Sequence, residues 1–228
     1  MAQIDAYWQL RERMVDEQLG GRDISDRRVL EAMRFVPRHR FVPQDAAELA
    51  YIDAPLPIGF RQTISQPYIV ALMTQLLRLR GDEVVLEVGT GSGYQAAVLG
   101  RLARRVHTVE RIPELAQSAR RVLGDLGLDN VEVHVADGSG GLPEAAPFDA
   151  ILVAAAAPQA PRPLLDQLAQ RGRLVVPVGT IEGQILERWT RDGDDFTCDR
   201  AAPVCFVPLL GSHGWEEDAR PEKLKRNP

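Results

Sequence analysis

Cysteine is nearly missing from this chain: Cys198 and Cys205 are its only two, and they form no Cys-x-x-Cys pair. That excludes a disulfide framework and makes a reducing cytoplasm the expected location. Histidine is sparse as well. His39, His107, His134 and His213 are scattered without metal-ligand spacing, so no metal is expected. No run of about 18 apolar residues is present, so no membrane-spanning helix is expected. The first residues lack a basic segment followed by an apolar core, so no secretory signal is expected. Basic blocks are also lacking. The formal charge of −5 argues against a protein built to grip nucleic acid.

What remains is an ordinary globular composition, 45% hydrophobic and 26% charged, in 228 residues, enough for one large α/β domain or two small ones. Trp8, Leu10, Met14, Val15 and Leu19 form a helical stripe within Tyr7 to Gly20, stopped by Gly20-Gly21. Ser25 or Asp26 can cap a second helix that ends before Pro37. Four prolines between Val36 and Gly59 predict an ordered loop with extended pieces. Ser65-Gln66-Pro67 then opens a helix running through Leu77, with proline well placed in its first turn.

Beyond Gly81 the texture alternates. Apolar runs at Val84–Val88, Arg105–Val109, Val131–Val135, Phe148–Val153 and Arg173–Val178 read as strands. Segments around Gln95–Leu102, Pro113–Leu123 and Pro163–Ala169 read as helices between them. This rhythm predicts a doubly wound, mostly parallel α/β sheet. Gln184–Thr190 and Val204–Leu209 are expected to close it as an antiparallel pair. Glu216 to Pro228 is charged and reads as a flexible tail.

The chemistry starts at Val84–Val88, which runs into glycines at 89, 91 and 93. No Gly-Lys-Ser/Thr follows, which excludes a Walker phosphate loop. In an open parallel sheet, ligands bind beyond the carboxyl ends of the strands. Glu110 ends the second strand, 21 residues after Gly89, the distance at which an acidic group meets ribose hydroxyls. Asp137 ends the third strand and can accept from an adenine amino group, or cap its own Asp-Gly turn. The G-x-G-x-G spacing departs from the dinucleotide fingerprint, and no pyrophosphate grip is evident. S-adenosyl-L-methionine, which carries no phosphate, is the favoured ligand.

At this point a family resemblance enters. Residues 85–99, Val-Leu-Glu-Val-Gly-Thr-Gly-Ser-Gly-Tyr-Gln-Ala-Ala-Val-Leu, closely resemble the cofactor motif of the protein-L-isoaspartate O-methyltransferases. Residues 56–68, Leu-Pro-Ile-Gly-Phe-Arg-Gln-Thr-Ile-Ser-Gln-Pro-Tyr, are more diagnostic still. Segments at 36–43, 109–112, 147–151, 172–179 and 206–209 also resemble that family, in its order.

The resemblance implies a Rossmann-like methyltransferase with N-terminal helices. It implies one domain over 1–215, with a helical substrate-side segment (1–80) and a cofactor-binding core (81–215). The implied reaction moves a methyl group from S-adenosyl-L-methionine to the free α-carboxylate of L-isoaspartyl residues in damaged proteins. S-adenosyl-L-homocysteine is the by-product, and succinimide formation with partial return to L-aspartate follows. Ser65 is the implied active-site residue. Gln62, Thr63, Ile64 and Ser65, with Glu87 and Thr90, are implied around the cofactor. Gly89 and Gly91 are assigned to its methionine end, Glu110 to its ribose, and Asp137 and Gly138 to its adenine end, with Arg111 also implied among the cofactor-binding residues. Isoaspartyl proteins and peptides are the expected partners, and a monomer is expected.

Two departures stand out. The family often has Val-Thr-Ala-Ala-Pro-Pro after the fourth strand, whereas this chain has Val153-Ala-Ala-Ala-Ala-Pro158, so a hydroxyl is missing at Ala154. Phe60-Arg61 stands where small or polar residues are common; Arg61 can help attract a carboxylate or be plain surface, and surface is the favoured reading. From spacing alone, Ser65 also reads as the N-cap of the helix beginning near Pro67. A related methyltransferase with another acceptor and a non-catalytic scaffold are the alternatives. The Thr63–Pro67 segment argues against the first, and intact Ser65, Gly89, Gly91 and Glu110 against the second.

Overall fold

The computed structural model describes residues 7–180 and 182–216. The expected tail beyond Glu216 lies outside the described residues. α1 (Trp8–Arg13) loosens into π-type hydrogen bonding over Met14–Gly20, and Met14, Val15 and Leu19 there are fully buried. α2 (Arg27–Phe35) is capped by Asp26, whose carboxylate accepts from the Arg28 amide at 2.9 Å. Asp26→Ala is expected to cost about 1 kcal/mol of stability in a denaturant titration, because that amide loses its acceptor.

Short 3₁₀ turns at Arg38–Phe41 and Gln44–Leu49 lead to a hairpin, β1 (Leu56–Gly59) and β2 (Gln62–Ile64). Phe60 and Arg61 form its turn, both at positive φ (52° and 58°). Such a turn matches the twist of a two-residue hairpin, but is normally filled by Asn or Gly. α3 (Pro67–Leu77) follows at once, with proline at its first position.

The core is a seven-stranded sheet in the order β5-β4-β3-β6-β7-β8-β9. β3 (Val84–Val88), α4 (Tyr94–Gly100), β4 (Arg105–Glu110), α5 (Pro113–Asp125) and β5 (Val131–Val135) build one half. β6 (Phe148–Val153), α6 (Arg162–Asp166) and β7 (Leu168–Thr180) build the other. The pairs from β5 through β7 are parallel, whereas β8 (Gly183–Asp192) and β9 (Asp195–Val204) add antiparallel strands. The expected α/β class and closing antiparallel pair are therefore present.

The last strand is not where the sequence placed it. The apolar run Val204–Leu209 is not a strand; the polar segment Asp195–Val204 is. Gly193 at φ 65° turns the chain in two residues between Asp192 and Asp195, so β9 pairs with β8 directly after the turn. As an edge strand it is mostly exposed, and no apolar alternation marks it.

Helices α3, α4 and α5 and the N-terminal helices pack on one face, in a core that includes Met33, Met73, Val85, Leu99 and Val106. The other face, around Leu86, Val88, Phe148, Ile151 and Leu164, is covered more thinly, by α6 and short turns. Among the described residues no helix is long and apolar enough to cross a membrane.

Candidate functional site

The order of strands reverses beside β3, so a crevice opens beyond its carboxyl end, where ligands of such sheets bind. Gly89, Gly91 and Gly93 turn the chain there at φ 95°, 52° and 89°. Only glycine takes this sequence of conformations without strain. A Cβ on Gly91 would lie 3.5 Å from Ile58, so β1 roofs the turn closely. A Cβ on Gly93 would meet Ala119 at 3.0 Å, so the third glycine packs α4 on α5.

Glu110 locks the turn to β4. One carboxylate oxygen accepts from the Gly91 amide at 2.8 Å, the other from the Ile112 amide at 3.0 Å. Each oxygen keeps a further lone pair, the acceptor pair needed to receive hydrogen bonds from two vicinal hydroxyls. The amides of Gly89 and Thr90 both donate to the Val109 carbonyl, at 2.9 and 3.3 Å.

Behind the turn, Glu87 is fully buried. The Thr108 hydroxyl, itself 2.6 Å from that of Thr90, donates to Glu87 Oε2 at 2.5 Å. Burial raises the Glu87 carboxyl to about 8; the Thr108 bond opposes that rise and the Glu110 charge adds to it. It therefore stands mostly protonated at neutral pH. Of the residues named from sequence for the cofactor, Gln62, Thr63, Ile64, Ser65, Gly89, Thr90, Gly91, Glu110, Arg111 and Gly138 line one cavity. Glu87 does not; it supports the turn from beneath.

Asp137 also stands apart from that cavity lining. Its carboxylate accepts from the amide and hydroxyl of Ser139 (2.9 and 2.7 Å) and of Ser212 (2.8 and 3.0 Å). Burial opposes its ionisation, but the Ser212 and Ser139 bonds outweigh it and hold the group below the usual carboxylate range. Asp137 is thus a cap and a latch, with its oxygens committed to four donors. Gly138 beside it lies against Val88: a Cβ there would come within 2.8 Å.

A second cavity adjoins the first, lined by Pro55, Gln66, Ile69 and residues 203–207, and shares Thr63, Ser65, Ala154 and Val207 with it. Ser65 therefore sits at the junction. It does not cap α3, whose N-cap is Gln66 with no side-chain bond. Ala154 is at the same junction, so the missing hydroxyl noted above falls between the two cavities. Arg61 is exposed at the rim.

Sequence reasoning missed Tyr94, a fully buried wall of the first cavity, whose ring lies 4.8 Å from the guanidinium carbon of Arg38. Arg38 is itself fully buried and donates from Nε to the Ala50 carbonyl at 2.7 Å. Burial lowers its pKa to about 10, against weaker support from Tyr94, Tyr51 and Asp53. The Tyr following Gly93 was the available signal.

Residues 9–214 match the family model described as Protein-L-isoaspartate(D-aspartate) O-methyltransferase. The Protein-L-isoaspartate O-methyltransferase 1 of Syntrophobacter fumaroxidans is 57% identical over 210 residues, covering 92% of this chain and 98% of that relative. The Methanoculleus marisnigri Protein-L-isoaspartate O-methyltransferase is 52% identical over 211 residues, covering 92% and 96%. Among solved structures, a protein-L-isoaspartate O-methyltransferase superposes with a TM-score of 0.80 at 28% identity, covering 90% of this chain and 67% of that one. A putative one from Plasmodium falciparum, in complex with S-adenosyl-L-homocysteine, gives 0.77 at 28% identity, covering 88% and 98%.

Proposed function

Because the chain belongs to the protein-L-isoaspartate(D-aspartate) O-methyltransferase family, it methylates L-isoaspartyl α-carboxylates using S-adenosyl-L-methionine, and we propose that Ser65 orients the accepting carboxylate. The observation that carries this role is the place of Ser65 between two cavities, one walled by the glycine turn and Glu110, the other by Ile69 and residues 203–207. A cofactor in the first and a peptide in the second meet there.

The donors and shapes suit the cofactor. Glu110 has free lone pairs for ribose hydroxyls, the glycine turn admits close approach of the methionine end, and Gly138, packed close on Val88, lines the cavity at the adenine end. Asp137, saturated by serine donors, is read as holding that end in shape rather than gripping it. When bound, S-adenosyl-L-methionine supplies a methyl group already activated on a sulfonium. The acceptor carboxylate is ionised at neutral pH. No general base is then needed, and the protein's work is to align the reacting atoms and exclude water. The Ser65 hydroxyl donates to one carboxylate oxygen and leaves the other facing the methyl. Off the enzyme, the neighbouring backbone nitrogen attacks the ester, methanol leaves, and hydrolysis of the succinimide returns part of the residue to L-aspartate.

One domain is the reading for residues 1–215, with 1–80 on the substrate side, supported by a core shared between Met14, Met73 and Val85. A cytoplasmic location is supported by two free, exposed thiols. Action as a monomer is part of the same proposal, and the acidic net charge supports proteins rather than nucleic acid as partners.

The test uses labelled S-adenosyl-L-methionine with paired isoaspartyl and aspartyl peptides. Label is expected on the isoaspartyl peptide alone. Ser65→Ala is expected to lower kcat by roughly 10–100-fold, the loss of one bond to a charged acceptor, while Kd for S-adenosyl-L-homocysteine stays within about threefold. If the variant keeps its kcat, or loses cofactor binding equally, the orienting role is wrong.

A further inference from the structure

His107 and His134, scattered in the sequence, meet across two neighbouring strands. In the parallel register His107 lies beside Glu132 and Val109 beside His134, so all three polar side chains emerge on one face of the β4–β5 ladder. It is the thinly covered face, and the rings of His107 and Phe148 touch edge to face. The Nδ1 of His107 is 3.1 Å from the Nε2 of His134, and the Glu132 carboxylate oxygens lie 3.8 and 3.9 Å from those two nitrogens.

We propose that His107, Glu132 and His134 form a binding site for one divalent transition-metal ion of the zinc class. Ligand atoms 3–4 Å apart are the edges of a coordination shell with bonds of about 2.0–2.2 Å, and two imidazoles with one carboxylate are a donor set that zinc takes. Two ring nitrogens facing each other share a single proton, or turn both lone pairs on one cation.

None of the three residues lines either cavity of the methyl-transfer site, so the ion takes no part in that chemistry. It ties edge strand β5 to β4, three residues before each strand reaches Asp137 and Glu110. Arg105 is its internal competitor, with Nη2 at 2.5 Å from Glu132 Oε2.

Calorimetric titration of the full chain with Zn²⁺ reads the site, with Co²⁺ absorption reporting ligand geometry. One saturable equivalent is expected, with a rise in Tm of roughly 5–10 °C at a hundredfold excess over Kd. His134→Ala, at a half-buried position, is expected to bind about tenfold or more weakly. Arg105→Ala keeps all three ligands and frees Glu132, so it is expected to bind more tightly than the parent. No saturable uptake by the parent, undiminished binding by His134→Ala, or loss of binding in Arg105→Ala overturns the site.

Discussion

Glu110→Ala is expected to weaken S-adenosyl-L-homocysteine binding by about 100-fold or more. The proposed ribose contact loses two hydrogen bonds to a charged acceptor, each contributing roughly 1.5–3 kcal/mol. The same substitution releases the amides of Gly91 and Ile112, which the carboxylate holds at 2.8 and 3.0 Å, so the glycine turn loses its tie to β4. Glu110→Gln does not restore the site. Its amide offers one oxygen to two backbone N–H donors and turns an NH₂ against the other. Calorimetric titration of both variants checks this, with folding verified by circular dichroism. A folded alanine variant that binds within about threefold of the parent would remove Glu110 from the ribose site.

Glu87→Gln is expected to gain stability relative to the parent as pH rises. The unfolded chain's carboxyl titrates near 4.5, whereas burial holds the folded one at about 8. Between those values the unfolded state has released a proton that the folded state keeps. Stability from this group is therefore full below pH 4.5, falls across the window and levels above pH 8. The change across the window is on the order of 3–5 kcal/mol. Glutamine keeps an oxygen for the Thr108 hydroxyl and has nothing to titrate. Denaturant unfolding at pH 5, 6.5 and 8.5 measures the parent–variant difference. A difference independent of pH would mean that Glu87 does not titrate in that range.

The strands Val84–Val88, Val131–Val135 and Phe148–Val153 were legible to the residue, because each is a short segment of β-branched and other apolar residues, near-continuous or alternating with polar ones, bounded by turn-forming residues. β7 runs further than Arg173–Val178, starting at Leu168, through polar, exposed residues that carry no pattern. The last strand was misplaced for the opposite reason: apolar Val204–Leu209 looked like a strand but supplies cavity wall instead.

At the site, the glycine turn and Glu110 were readable because consecutive strand ends must share one edge. The local cap at Asp137 was readable from its Asp-Gly turn, but its latch was not, since Ser212 is 75 residues away and comes back through tertiary packing. The hairpin turn at Phe60-Arg61 defeats local propensity, since both residues sit where glycine or asparagine is usual. The meeting of His107 with His134 required the strand register, which spacing in one dimension does not carry.

The segment after β9 closes the cavity. Val207 to Leu210 line it, Leu209 and Val207 bond with Ala156 beyond β6, and Ser212 and His213 fasten the turn at Asp137 and Ser139. Trp215 then donates from its indole to the Ala156 carbonyl. Ribosomes build from the other end. A nascent chain elongated only through β9 lacks one wall of the cavity and the clasp on Asp137. Completion of the cavity therefore waits until residues 207 to 215 have been added to the growing chain.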